Sequence, residues 1–302
     1  MRGIVRKKTV EVPKTLTTAQ RRKRDQKRHA RLRTGIQLAF FLLAPALFTS
    51  AFIGLKQIFT AIGNGQPLEF SGFVRILLLL CLFTMIFGRF FCGYACAFGA
   101  LGDLVYALRS SLEKRMKKPF PHLSKKLSNR LNCLPFLNLT VIVGLCAAGL
   151  YSRLTGWSPW DVFSRLTKLK LGLDHYGIGG ILLLLILAGM ALEPRFFCRF
   201  LCPLGAVFRL LPIFPWAVLK RDTGNCVKGC SVCKAGCPVG HCLGAAENVG
   251  SCIRCDKCRG ACPKQNIRSA VGNQPGVNAL LTLGKAGLLL LIAALLDAVR
   301  IF

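Results

Sequence analysis

Acid is scarce in this chain. Its 302 residues hold 12 Asp and Glu against 42 Lys and Arg, a formal charge of +30. Histidine is scarcer still: His29, His122, His175 and His241 are scattered without a pairing pattern, which argues against haem held by two histidines. Charge is missing altogether from residues 36–55, 131–152 and 176–192. Basic residues that avoid the apolar runs and sit beside them fit membrane topology better than nucleic-acid binding. A cleavable leader is not expected either. No small-residue cleavage site follows the first apolar run, and Arg21-Arg22 is followed by Lys-Arg-Asp, which is wrong for a twin-arginine signal.

The chain is 53% hydrophobic with a mean hydropathy of +0.47. Apolar content this high beside such a net charge suits membrane spans separated by basic loops. Residues 36–55 are long enough to cross a hydrocarbon core, with a kink expected at Pro45. Spans are also expected at 70–91, 131–152 and 176–192, and a candidate fifth at 277–296, which Lys285 interrupts. Residues 153–175, with Trp157 and Trp160, read as an interfacial helix. Residues 1–34 carry thirteen basic side chains and 109–130 eight, whereas 61–72 carry none. The positive-inside rule therefore puts the N-terminus, the 109–130 loop and residues 195–268 in the cytoplasm, with the N-terminal arm solvated or against lipid headgroups.

Sixteen cysteines are present, and eight fall in two runs. Cys252, Cys255, Cys258 and Cys262, followed by Pro263, have the C-x2-C-x2-C-x3-C-P spacing of a bacterial ferredoxin. Cys226, Cys230, Cys233 and Cys237, followed by Pro238, are the same run with one extra residue. In tandem they allow crossed ligation of two [4Fe-4S] clusters: Cys226, Cys230 and Cys233 with Cys262, and Cys252, Cys255 and Cys258 with Cys237. Zinc ribbons use C-x2-C pairs, but not two linked runs of four closing in C-P. A disulfide framework does not suit a cytoplasmic segment. Cys242 is a spare thiol in the linker. Cys81, Cys133 and Cys146 read as small buried apolar residues.

Four more cysteines lie in a repeat. The sequences from Arg89 and from Arg195 share R-F-F-C-x3-C-x2-G-A. Each copy follows an outside-to-inside span, so the first four spans form two parallel two-helix halves. Cys92 with Cys96, and Cys198 with Cys202, would share a helix face at i and i+4. Pro203 would open a new helix with Cys202 at its N-terminus, where the dipole lowers a thiol pKa. Together the four offer a site for a metal, a cluster or paired redox thiols; the alternative is that they pack the symmetric core.

Paired Cys motifs at the ends of membrane spans, followed by two ferredoxin runs, resemble the NapH-type membrane quinol dehydrogenases. The C-terminal part of NosR and the CcoG-type ferredoxins are similar. The resemblance covers roughly residues 36–268. It implies membrane electron transfer with two [4Fe-4S] clusters, coupled to the quinone pool or to a membrane or periplasmic redox protein. This sequence departs from the pattern in Ala97, where the family has Pro, and in the extra residue of the first run.

The expected architecture is an all-α polytopic membrane bundle with a small α+β two-cluster ferredoxin-like domain. Its parts are a basic arm at 1–34, a four-helix membrane domain at 35–221, the ferredoxin-like domain at 222–270 and a C-terminal helix at 271–302. It sits in the cytoplasmic membrane, with lipid as surroundings and no nucleic-acid partner. Quinone contacts are sought at Trp160, Asp161 and His175 outside, or at Arg89 and Arg195 inside. The alternatives to an electron carrier or quinol dehydrogenase component are a copper reductase or assembly factor using Cys92, Cys96, Cys198 and Cys202, and a redox sensor.

Overall fold

The computed structural model describes residues 18–118, 123–151, 157–167, 177–222, 224–227, 229–240, 250–269 and 275–296. Helix α1 (Thr18–Leu43) starts among the basic residues and runs unbroken into the apolar stretch, so the described part of the basic arm belongs to a helix of the bundle. Pro45 then ends it, having no amide proton and crowding the preceding turn. Helix α2 (Leu47–Gly63) departs at 62°. The span expected at 36–55 is thus two helices with a sharp break.

Helix α3 (Gly72–Phe87) begins where Ser71 Oγ accepts a hydrogen bond from Val74 N and stops at Gly88, φ +69°. Its 16 residues make a rod of about 24 Å, less than the ~30 Å hydrocarbon core. Helix α6 (Leu134–Ala147) is also shorter than the run that suggested it, and α8 (Gly177–Leu192) has 16 residues. Among the described residues, Val277–Leu295 of α12 (Pro275–Leu295) alone is long and apolar enough to cross by itself; the bent pair α1 and α2 would make a second if taken as one span. Lys285 lies within α12, its ammonium 5.5 Å from the centre of the Phe87 ring.

The repeat is larger than a helix pair. Helix α1 lies on the turn Phe91–Ala95 and on α4 (Ala97–Met116), just as α6 lies on the turn Phe197–Leu201 and on α9 (Pro203–Leu210). Within each half, α2 packs on α3, and α7 (Pro159–Thr167) packs on α8. The halves meet where α2 touches α6 and α4 touches α8. Short helix α5 (Lys125–Leu131) lies in the basic loop between them.

The cysteine-rich segment is a small α+β unit. Strand β1 (Leu219–Arg221) pairs antiparallel with β2 (Ile267–Ser269), Leu219 opposite Ser269. Between them, α10 (Val232–Ala235) packs on α11 (Lys257–Ala261). Leu219, Cys233 and Ile267 form its own buried cluster.

Candidate functional site

The second cysteine run is tightly wound. Arg254 and Asp256 take φ of +55° and +52°, a left-handed conformation uncommon for side-chain-bearing residues and often kept at ligand-binding loops. The loop bends around Cys255, which is buried. Cys237, Cys252, Cys255 and Cys258 line one pocket with Cys233, walled by Leu219, Pro238, Val239 and Ile253. The fourth cysteine of the first run is thereby brought to the first three of the second. Five sulfurs thus share one space whose other lining is apolar except for Asp256, and four of them are the number a cubane cluster takes. Burial pushes the Cys252 thiol up to about 12, and burial followed by the neighbouring cysteines pushes Cys258 up. Iron binding would release those protons.

The other set is less gathered. Cys262 packs against Leu219, Cys233 and Ile267, and its Sγ accepts a hydrogen bond from Asn266 N at 3.4 Å. Cys226 and Cys230 are half-buried in the turns before α10. Cys242, His122, His175 and His241 lie outside the described residues. Of the cysteines read as apolar filling, Cys146 is buried and Cys81 half-buried, but Cys133 is exposed, its thiol donating to Arg130 O.

The repeat cysteines do not sit on plain α-helices. In each half the motif forms one π-turn, closed by Cys96 N donating to Phe91 O and Cys202 N donating to Phe197 O, both at 2.9 Å. Single π-turns recur at functional sites. Cys96 and Cys202 then cap α4 and α9, and Cys202 Sγ accepts from Gly205 N at 3.2 Å. The helix-end position does not make Cys202 acidic. Burial raises its thiol well above the usual range, and Cys96 and Cys198 are raised for the same reason. Cys92, Cys96, Cys198 and Cys202 are all buried and lie within electrostatic reach of one another. Among the described residues, no three of His, Cys, Asp or Glu stand as a single-ion site.

The two motif arginines cross between halves. Arg195 reaches the first half, its Nη1 donating to Cys92 O and its Nη2 to Gly93 O at 3.1 Å. Arg89 reaches the second, where its Nη2 would stand 3.3 Å from a Cβ at Gly205. Gly99, at the matching position of the first half, lies against Arg195 so closely that a side chain would collide with it. The G of each motif is therefore room for the other half's guanidinium. Both arginines are almost wholly buried and spent on this junction, so neither is free to face a lipid-borne quinone.

Asp103 completes one side. It accepts from Arg195 Nε at 3.1 Å and Nη2 at 2.5 Å, from Arg33 Nη2 at 2.5 Å and from Gln37 Nε2 at 2.8 Å. Burial pushes its carboxyl up, but Arg195 and Arg33 outweigh that and hold it below the usual carboxylate range. These partners were not anticipated from the sequence. The available signal was an acid in the first two turns of α4 in a chain with so few acids.

The cluster loop is seated on the repeat. Ile253 O lies against Gly93, between Cys92 and Cys96, where any side chain would strike it. Arg89 Nη1 donates to Gly250 O at 3.2 Å, and His29 Nε2 and Tyr94 Oη lie 3.0 Å apart beside this contact. Helix α1 also packs on α11. On the other side a ring cluster adjoins the cysteines. Phe197 lies 4.7 Å from Phe98 and 5.3 Å from Trp160, which lies 5.4 Å from Phe52. Trp160 also borders a largely apolar groove between α6, α7 and α8.

Comparison with known proteins bears on the same residues. A family model described as a 4Fe-4S binding domain matches residues 72–116 and 177–218, the segment of each repeat half that carries its R-F-F-C motif. The uncharacterised protein MJ0750 of Methanocaldococcus jannaschii is 32% identical over 240 residues, 78% of this chain and 93% of that protein. Protein NirI of Paracoccus denitrificans is 31% identical over 63% of this chain, which spans only 28% of NirI. The methylamine utilization ferredoxin-type protein MauN of Methylobacillus flagellatus is 26% identical over 65% of this chain and 62% of its own length. No solved structure matches.

Proposed function

Because the chain belongs to the NapH- and NosR-like family of ferredoxin-type proteins, we propose that it is a membrane-bound iron–sulfur electron-transfer protein, linking the quinone pool or a membrane redox partner to two [4Fe-4S] clusters on the cytoplasmic side. The observation that carries this reading is the seat of the Cys255 loop on Gly93, between two repeat cysteines.

In this reading Cys237, Cys252, Cys255 and Cys258 hold one cluster, and Cys226, Cys230, Cys233 and Cys262 the other. When bound, such clusters supply reversible one-electron transfer at potentials set by charge, hydrogen bonding and exposure. Leu219, Pro238, Val239 and Ile253 keep water from the first set. Cys92, Cys96, Cys198 and Cys202 form an intermediate redox or cluster site between the membrane and the ferredoxin segment. The apolar groove suits a quinone ring with an isoprenoid tail. Leu182, Leu185 and Trp157 line its exposed side, and Ser158 and Trp160 are its buried lining. Asp161 stands beside it on α7.

Redox titration of the purified full chain, with and without a quinol analogue, tests the proposal. Iron–sulfur signals that the analogue reduces are expected. A preparation with zinc and no acid-labile sulfide would overturn it.

A further inference from the structure

Helix α12 carries a single charged residue, Lys285, on an otherwise uncharged rod. Asn278, Leu281, Thr282 and Lys285 fall at i, i+3, i+4 and i+7, one face of the helix. All four line a cavity of about 140 Å³ between α12, the end of α3 and the loop of Cys255. That space is many times the ~10–15 Å³ that one water needs. Away from the cavity, Leu280, Leu283, Leu291 and Leu295 of α12 are exposed. An ionisable residue within a helix long enough to cross a membrane faces protein or a cavity, and marks a site.

The walls of the cavity are basic. Arg254 of the cluster loop, Arg259 of α11 and Lys285 line it, against one carboxylate, Asp256. Arg254 is nine-tenths buried, and its Nη1 is enclosed without a hydrogen-bond partner. Its stem lies against Gly88 at the end of α3, where a Cβ would stand 3.0 Å from Arg254 Cγ. Arg259 Nη1 donates to Asn278 Oδ1 at 3.0 Å, which joins α11 to the same face of α12. The Lys285 ammonium has the Phe87 ring on one side, a weaker partner than an anion. A buried guanidinium nitrogen left unmatched is costly. Three cations around one acid leave the cavity short of negative charge. Trp216 also lines it, its Nε1 donating to Ile86 O at 2.9 Å, and its half-exposed ring stacks on Phe214 at 4.4 Å.

We propose that this cavity binds a phosphate group, held by Arg254, Arg259 and Lys285, and that the bound phosphate ties the Cys255 loop to α12. Guanidinium forks match phosphate oxygens, and an ammonium adds a third positive charge. The surroundings favour the phosphate of an anionic membrane lipid. Basic pockets between membrane helices on the cytoplasmic side take such headgroups. The exposed leucines of α12 offer a surface for the acyl chains, and tryptophan favours the headgroup level where Trp216 would then lie. Inorganic phosphate presents the same oxygens and is the other source.

The test uses the full chain, purified anaerobically and placed in phosphatidylcholine nanodiscs. Phosphatidylglycerol is then included in the discs, or inorganic phosphate is added to the buffer, and thermal unfolding is followed. The melting temperature should rise with phosphatidylglycerol, and native mass spectrometry should show one such lipid retained per chain. A rise with inorganic phosphate alone would assign the same site to the free ion. Lys285→Met and Arg254→Gln should each raise the anion level needed for half the shift by roughly tenfold or more, the loss of one hydrogen bond to a charged group. Lys285→Arg should keep the wild-type level. Lys114→Gln, which removes an exposed charge of α4, should keep it too. If Lys114→Gln weakens binding as much as Lys285→Met does, the anion reads only the general positive charge, and the proposal is overturned. Unchanged binding in Lys285→Met overturns it, as does a melting temperature that neither anion moves. If Arg254→Gln fails to fold, Lys285→Met and Lys285→Arg decide.

Discussion

Arg195 of the second repeat grips Asp103 of the first with two hydrogen bonds, 3.1 and 2.5 Å long. The carboxylate is shared with Arg33 of α1, so three elements meet at one acid. Asp103→Asn would leave two buried cations without a counter-charge, at a cost of about 3–5 kcal/mol. Thermal unfolding in detergent should show that loss against wild type. The folded carboxyl is more acidic than the unfolded one, so its contribution is complete above the ordinary aspartate pKa of about 3.9. It is lost only as pH falls through the lowered folded value. The gap between wild type and Asp103→Asn should therefore stay constant from neutral pH down to about 4.

Ligand crossing has a direct signature. Cys237→Ser should damage the same cluster as Cys255→Ser, since both line one pocket with Cys252 and Cys258. Cys262→Ser should damage the cluster of Cys226, Cys230 and Cys233. Iron analysis with EPR of the single and double serine variants distinguishes the sets. If Cys237→Ser and Cys255→Ser remove different signals, the ligands are not crossed.

Gly93→Ala probes the seat of the cluster loop. The added methyl meets Ile253 O head-on, and overpacking of this kind costs about 1–3 kcal/mol. Iron content should survive while electron exchange between the quinol analogue and the ferredoxin signals slows. Exchange at the wild-type rate would show that the contact carries no current.

Membrane placement can be read with reporters. The loop at 114–126 should be cytoplasmic, following its basic residues. A reporter after Phe302 should lie outside if α12 crosses, as its length and hydropathy allow. A cytoplasmic reporter at that end would place the helix along the surface.

The cysteine runs and the R-F-F-C repeat were readable because spacing alone encodes them. The structure lines one pocket with Cys233 and Cys237 of the first run and Cys252, Cys255 and Cys258 of the second; the serine variants above decide which sulfurs share a cluster. Helix lengths were not readable. An apolar run says which residues avoid water, but Pro45, Ser71 and Gly88 decide where the rods stop. The π-turns were mistaken for α-helix because C-x3-C looks alike in both. Asp103, Arg33 and Gln37 were invisible for another reason: they meet across about seventy residues, and no local pattern announces such a meeting. The expected acidity of Cys202 is opposed by burial and by the neighbouring cysteines, which outweigh the hydrogen bond from Gly205 N.

The crossing arginines also constrain ancestry. A chain with one repeat supplies two sulfurs, and its arginine finds no opposing glycine within its own fold. Two copies facing one another would provide both, so a half-length forerunner would have worked as a homodimer. In such a dimer position 103 and its mate at 209 are the same residue, and both sides carry the same charge. Only copies that differ in sequence can keep a carboxylate on one side, Asp103 seven residues after Cys96, and a guanidinium on the other, Arg209 seven residues after Cys202. The lopsided electrostatics are thus a property that divergence of the two copies made available and that no symmetric assembly of identical halves can possess.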